Sequence, residues 1–175
     1  DNNGCCLFEL NDNRNYIAAL LNSKVFFHII GQLNPALAFH PGDVKKFPII
    51  QGKKSDFDQV VNLSKNNIDI SKSEWNSFET SWDFASLQLL HSDFHQSTLQ
   101  STYNQLRSHW QEITLELQCL EEENNRLFIE TYCLQDELTP EVPLQEITLT
   151  CNPHYRYGGD KSEEELEAQL LIDTL

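Results

Sequence analysis

Asn152-Pro153-His154-Tyr155 are the residues of this chain whose types and order could do chemistry. An asparagine side-chain oxygen and the carbonyl of the following proline can accept hydrogen bonds from the exocyclic amine of a flipped-out base, while an aromatic ring at the fourth position stacks on it. Asn152, Pro153 and Tyr155 fit that pattern, and His154 stands where a second proline is usual. Methyl transfer to such an amine also needs a glycine-rich loop after a strand to hold S-adenosylmethionine, with an acid nearby for the ribose. No such element occurs in the 175 residues. The motif therefore reads as a look-alike: Asn-Pro turns the chain out of a short strand over residues 147–151, and Gly158-Gly159-Asp160 lead into a helix in "SEEELEAQLLIDTL" whose early acids suit a helix N-terminus.

Other chemistry-bearing residues are sparse. His91 and His95 stand four apart around Asp93, but the water-activating glutamate of H-E-x-x-H is missing and no third ligand is evident, so no metal site is expected. His28 lies on an apolar helix and reads as a packed or rim histidine. No G-x-S-x-G elbow or phosphate-binding loop is present. Lys45, Lys46, Lys53 and Lys54 fall around one turn and loop. They read either as a solvated surface or as an edge that contacts DNA phosphates without reading sequence. Five cysteines, odd in number and without a C-x-x-C pair, argue against a disulfide framework and read as reduced, intracellular thiols.

Charge is distributed unevenly along the chain. Residues 1–72 carry eight Lys/Arg against seven Asp/Glu, whereas residues 73–175 carry four against twenty. Affinity for a nucleic-acid backbone comes from basic side chains displacing condensed counterions, so any DNA contact is expected in the first part. No apolar run is long enough to span a bilayer and the start has no signal-like blocks, which points to a soluble, cytoplasmic protein. The chain does not begin with methionine and is expected to be incomplete at both ends.

These residues must be positioned by a mainly helical scaffold. Ile17, Leu20, Leu21, Val25, Ile29 and Leu33 recur at helical spacing until Pro35, after which Pro41-Gly42 reads as a turn between short strands, and a lysine-bearing loop leads into a short helix with Phe57, Val60, Val61 and Ile68 inward. Trp75, Phe78, Trp82 and Phe84 read as an aromatic docking segment. From residue 93 to about 134 a long helix carries a heptad seam at Leu99, Tyr103, Leu106, Trp110, Ile113, Leu117, Leu120, Asn124, Leu127 and Thr131. Asn124 is expected to fix register, and Glu121 to Glu123 to form a solvated face.

Longer blocks carry a family resemblance. "NSKVFFHIIGQLNPALAFHPGDVKKFPI" resembles the helix-and-strand unit in the target-recognition part of Taq-type and type IIG adenine methyltransferases. "SEWNSFETSWDF" and "EEENNRLFIETYCLQDELTPEVPLQEITLTCNPHYRYGGDKSEEELEAQLLIDTL" resemble the middle of the PglX-type enzymes, the large adenine-specific DNA methyltransferases of BREX phage-defence systems. The resemblance implies a parent protein that moves a methyl group from S-adenosylmethionine to the exocyclic amine of adenine in double-stranded DNA, with other BREX components as partners. It places the catalytic Asn-Pro-Pro-Tyr and the cofactor loop upstream, so no catalytic, cofactor-binding or metal residue is carried onto this segment. The expected fold is α+β, predominantly α: residues 1–72 part of the DNA target-recognition domain, 73–92 the docking segment, 93–135 a coiled-coil-like helical spacer, and 136–175 a strand-turn-helix leading onward. Two other readings remain, an acidic helical adaptor without catalytic activity and a minimal methyltransferase using Asn152 and Tyr155.

Overall fold

Helix signals in the sequence fix most of the regular structure, and side chains hold what lies between. The computed structural model describes residues 13–34 and 41–175. Among these, the α-helices are α1 (Arg14–Leu21), α2 (Lys24–Leu33), α3 (Pro41–Val44), α4 (Lys54–Trp75), α5 (Leu99–Thr131), α6 (Pro153–Tyr157) and α7 (Glu163–Thr174), with 3-10 turns at Gln88–Leu90 and Leu144–Glu146. The predominantly helical character is as expected, but no strand occurs among the described residues. Pro35 lies outside them, and Pro41-Gly42, read as a turn between strands, instead opens α3. No single helix among the described residues is long and apolar enough to cross a membrane.

The chain divides into two compact units, one of Asp1–Asn66 with Glu121–Glu141 and the other of Asn67–Leu120 with Val142–Leu175, so α4 and α5 each contribute to both. This division regroups the charge. The first unit holds thirteen acidic and eight basic residues, net −5, because residues 121–141 add acids to the lysine-bearing part; the second holds fourteen and four, net −10.

In the first unit Ser23 caps α2 by accepting a hydrogen bond from Phe26 N–H, which separates α1 from α2 and lets each bury its own apolar stripe. Tyr16, Leu20, Val25, Phe26 and Ile30 pack with Phe47, Val60, Leu127 and Phe128. Tyr16 stacks on Phe57 at 4.8 Å and meets Phe128 edge-on at 5.5 Å, the offset geometries that ring quadrupoles favour. Asn124 and Asn125 of α5 serve the two helix ends. Asn124 Nδ2 donates to Ala19 O (3.1 Å) near the end of α1, and Asn125 Oδ1 accepts Lys24 N–H (2.9 Å) at the start of α2, both groups that a helix terminus leaves unpaired. Asn124 is thus a buried amide, as its seam position implies, with a backbone carbonyl as its partner. Helix α5 closes where Cys133 takes φ 56° and Leu134 N–H bonds back to Ile129 O (3.0 Å), a left-handed cap made without glycine.

In the second unit the seam residues Tyr103, Leu106, Trp110 and Leu117 pack against Val142, Ile147, Leu149, Cys151 and Leu170, while Leu99 remains exposed. The apolar seam therefore meets an irregular segment and α7. Helix α5 begins at Leu99, the first seam residue, and not at residue 93, because Thr98 Oγ1 accepts Ser101 N–H (3.1 Å) and Thr102 Oγ1 accepts Gln96 N–H (3.0 Å). His91 and His95 consequently precede the helix. Helix α7 starts at a capping box between Ser162 and Glu165, with Glu163, Glu164 and Glu165 in its first turn.

Residues 147–151 keep the alternation of a strand without its pairing. Ile147, Leu149 and Cys151 are fully buried, residue 148 is exposed, and Thr150 is partly buried, with its side chain hydrogen-bonded to Glu74. Lacking a ladder, the backbone turns on itself through Leu149 N–H to Ile147 O (2.9 Å) and Asn152 N–H to Leu149 O (3.0 Å). Its remaining polar groups must find side chains.

Candidate functional site

Asn152 is central to that accounting. It is 1% exposed. Its Nδ2 donates to Leu144 O (2.7 Å) and Ile147 O (2.9 Å), and its Oδ1 accepts His154 N–H (3.1 Å), which caps α6 with Pro153 at the first helical position. Glu74, at the end of α4, completes the hold: its carboxylate, 4% exposed, accepts Cys151 N–H at 2.8 Å. Burial raises the Glu74 pKa, and hydrogen bonds from Cys151 and Thr150 only partly offset this. The Cys151 thiol is likewise pushed well up by burial and by the Glu74 charge, so it is a neutral packing group. Gln118 Nε2 donates to Val142 O (2.6 Å), binding the start of the same segment.

A cleft of about 240 Å³ opens beside this turn, lined by Arg107, Gln111, Leu144, Asn152, His154 and Glu163 among others. Arg107 is held by Glu167 through two contacts, Nε to Oε2 at 2.8 Å and Nη2 to Oε1 at 2.5 Å. Its Nη1 is buried and has no hydrogen-bond partner among the described residues. His154 Nε2 lies 3.4 Å from Glu163 Oε2. With Glu167 neutralising the guanidinium and Glu163 at hand, the cleft offers one donor to a neutral acceptor rather than a site for an anion. Tyr155 is 47% exposed. The arrangement contrasts with amine recognition: the asparagine amide has both of its atoms engaged by backbone.

The four lysines lie in the first unit and are all exposed. Lys45 and Lys46 follow α3, with Lys46 Nζ 4.0 Å from Asp43 Oδ1; Lys53 precedes α4 and Lys54 opens it. Between the pairs, the stretch around Ile50 is fixed by tyrosines. Tyr132 OH donates to Pro48 O (2.7 Å) and accepts Ile50 N–H (3.2 Å), and Tyr16 OH donates to Ile50 O (2.9 Å). Burial raises the Tyr16 pKa to about 12, so this clasp is uncharged through the physiological range. The helix after Lys53 is 22 residues long, where a short one was expected, and Ile68, expected inward, is 47% exposed.

The remaining candidates are scattered. His28 is a rim histidine, 3.1 Å from Glu137 and 3.0 Å from Gln32. His91 lies 3.3 Å from Asp93 and, with His95, in non-helical chain, so the i, i+4 geometry is absent. No cluster of three or more metal-ligating residues occurs among the described residues. Glu123 is partly buried rather than on a solvated face; Arg126 and Gln59 hydrogen-bond it, and Arg126 holds its carboxyl below the usual range. Within the aromatic segment Phe78 and Phe84 are partly buried, Trp75 is half exposed and Trp82 is fully exposed. Glu74 and Arg107 gave no motif, although Glu74 continues the inward stripe of Val60, Ser64 and Ile70 along α4.

No family model matches the chain. It is 31% identical over 178 aligned residues to the adenine-specific methyltransferase BrxX of Escherichia coli O9:H4 (strain HS), an alignment that covers 100% of this chain and 14% of that protein. It is 34% identical over 137 residues to the adenine-specific methyltransferase PglX of Lacticaseibacillus casei (strain Zhang), covering 77% of this chain and 11% of that protein. The chain is PglX-like: it is similar to one segment, about one-seventh or less of the length, of two adenine-specific methyltransferases.

Proposed function

We propose that the chain is the non-catalytic recognition and spacing segment of an S-adenosylmethionine-dependent, adenine-specific DNA methyltransferase of a BREX phage-defence system. The observation that carries this reading is the similarity to BrxX over the full chain. In this reading the parent methylates adenine in double-stranded DNA in the cytoplasm and assembles with other BREX components. S-adenosylmethionine and the catalytic asparagine lie outside these residues. Asn152, Pro153 and Tyr155 serve as a structural turn, in keeping with the saturated hydrogen bonding of Asn152. Residues 1–72 contribute to target recognition and residues 93–135 act as the helical spacer.

Lys45, Lys46, Lys53 and Lys54 are the phosphate contacts in this proposal. They are exposed and flank a stretch that two tyrosines hold in place, so their ammonium groups extend from a fixed base. The acids that residues 121–141 bring to the same unit favour a contact confined to these lysines over a broad basic face. Replacing Lys45 and Lys46 by alanine in the full-length protein should weaken binding to all duplexes alike and lower the salt slope by about one unit per lost phosphate contact, with site preference retained. An unchanged slope would assign these lysines to the solvated surface.

The acidic adaptor is the second reading, favoured by the net −10 of the second unit. It requires the full-length protein to methylate DNA normally when the lysines are neutralised.

A further inference from the structure

Residues 48–52 run between the two lysine pairs and are exposed throughout, Ile49 at 56% and Ile50 at 43%. Their backbone is held along one edge. Pro48 O and Ile50 N–H meet the Tyr132 hydroxyl, Ile50 O meets the Tyr16 hydroxyl, and the Gly52 backbone hydrogen-bonds Tyr16 as well. The backbone groups of Ile49 and Gln51 have no hydrogen-bond partner among the described residues. Bonding at every second residue marks an extended chain, in which successive side chains take opposite faces. Ile49 and Gln51 therefore share one face of a strip whose backbone is tied to the body and whose side chains meet solvent.

The length and charge of the strip indicate what it fits. At about 3.3 Å per residue, residues 48–52 reach about 13 Å, close to the roughly 12 Å width of the major groove of duplex DNA. Lys45 and Lys46 at one end and Lys53 and Lys54 at the other then stand at the phosphates of the two groove walls, while the residues between them face base edges. A glutamine amide donates and accepts together, as adenine N7 and N6 require, and an aliphatic side chain packs on the thymine C5-methyl. Addition of a peptide strand at the open edge is disfavoured, since a proline and flanking lysines are means by which edges are kept from pairing. We infer that residues 48–52 cross the major groove and read sequence there, Gln51 at an adenine and Ile49 at a thymine methyl. This base readout rests on the phosphate-contact reading of the four lysines and goes beyond it, because those lysines carry no sequence preference.

The test incubates the full-length protein with a randomised duplex library and sequences the bound fraction, so that no methyl transfer is needed. Gln51→Ala should relax the preference at one adenine by roughly ten- to a hundredfold, and Gln51→Glu should move it towards cytosine, whose N4 amine donates to a carboxylate. A misfolded variant would lose binding without gaining a new base. Ile49→Ala, and deoxyuridine in place of thymine at the contacted position, should each weaken binding and should not add, because both remove the same contact. A wild type that enriches no sequence, variants that keep its preference at every position, or a deoxyuridine effect that adds in full to Ile49→Ala would overturn the inference. Failure of the phosphate reading shows separately, as an unchanged salt slope when Lys45→Ala and Lys46→Ala are combined, and it would remove the placement across the groove as well.

Discussion

Two stretches that the sequence reads as extended, 48–50 in the first unit and 147–152 in the second, are held in opposite ways. The first lies at the surface, and its backbone is clasped by two neutral tyrosine hydroxyls. The second is buried, and its backbone is met by the amides of Asn152 and Gln118 and the carboxylate of Glu74. An extended segment without a ladder must satisfy each buried N–H and C=O from side chains, and the deeper it lies the more polar groups it draws inside. The difference bears on function. The surface stretch is flanked by four exposed lysines, whereas in the buried one both amide atoms of Asn152 are engaged by backbone.

Asn152→Ala should produce the largest loss, about 3–5 kcal/mol by urea unfolding of this chain, because it strands two carbonyls and an N–H in a buried turn. Methyl transfer by the folded full-length protein should stay within a few-fold; a collapse of activity with folding intact would show that the motif is chemical after all. Next in size, Leu106→Ala should cost about 2–4 kcal/mol, the range for a fully buried leucine whose cavity does not collapse. An unchanged urea midpoint would mean that the α5 seam does not support the segment opposite it.

Glu74 sharpens the contrast through pH. Its folded pKa is raised above the unfolded value, so the folded state holds the proton more tightly, and the stability this contributes is present below the unfolded carboxylate pKa and lost as pH rises through the folded one. The cost of Glu74→Gln should therefore shrink between acidic and neutral pH, since only the wild type acquires a buried charge. A cost that grows with pH would indicate that hydrogen bonds to the carboxylate outweigh its desolvation. Smallest of all, Tyr132→Phe should cost about 0.5–1.5 kcal/mol, because the groups it releases at Pro48 and Ile50 are open to water. Hydrogen exchange should speed up at Ile50 and not at Cys151.

What the sequence revealed and what it concealed follow the same division. The inward positions Tyr103, Leu106, Trp110 and Leu117 were legible because helical spacing alone determines which side chains share a face. The extended run 147–151 was legible too, but its inward side chains, Ile147, Leu149 and Cys151, were not. Neither spacing nor composition carries information about the opposite surface, so what the seam faces stayed open and a lone extended segment was read as a strand. The onset of α5 was misplaced because no Gly or Pro breaks residues 93–98, whereas a local cap at Thr98 sets the start. Glu74 was hidden among aromatics, and Arg107 beside the seam, since a polar residue's burial depends on partners distant in sequence. The look-alike reading of Asn152 rests on companions missing from the sequence; the backbone bonds of its amide were not legible there.

The interleaving of the two units also sets a timetable for biosynthesis. Residues 1–66 leave the ribosome before residues 121–141, which bring them Phe128, Asn124 and Asn125. At roughly 5–20 residues per second the intervening stretch 67–120 takes about 3–10 s to synthesise. During that interval the apolar stripes of Tyr16, Leu20, Phe26 and Ile30 lack their α5 partner, so the nascent chain presents a hydrophobic surface on a timescale that chaperones can exploit.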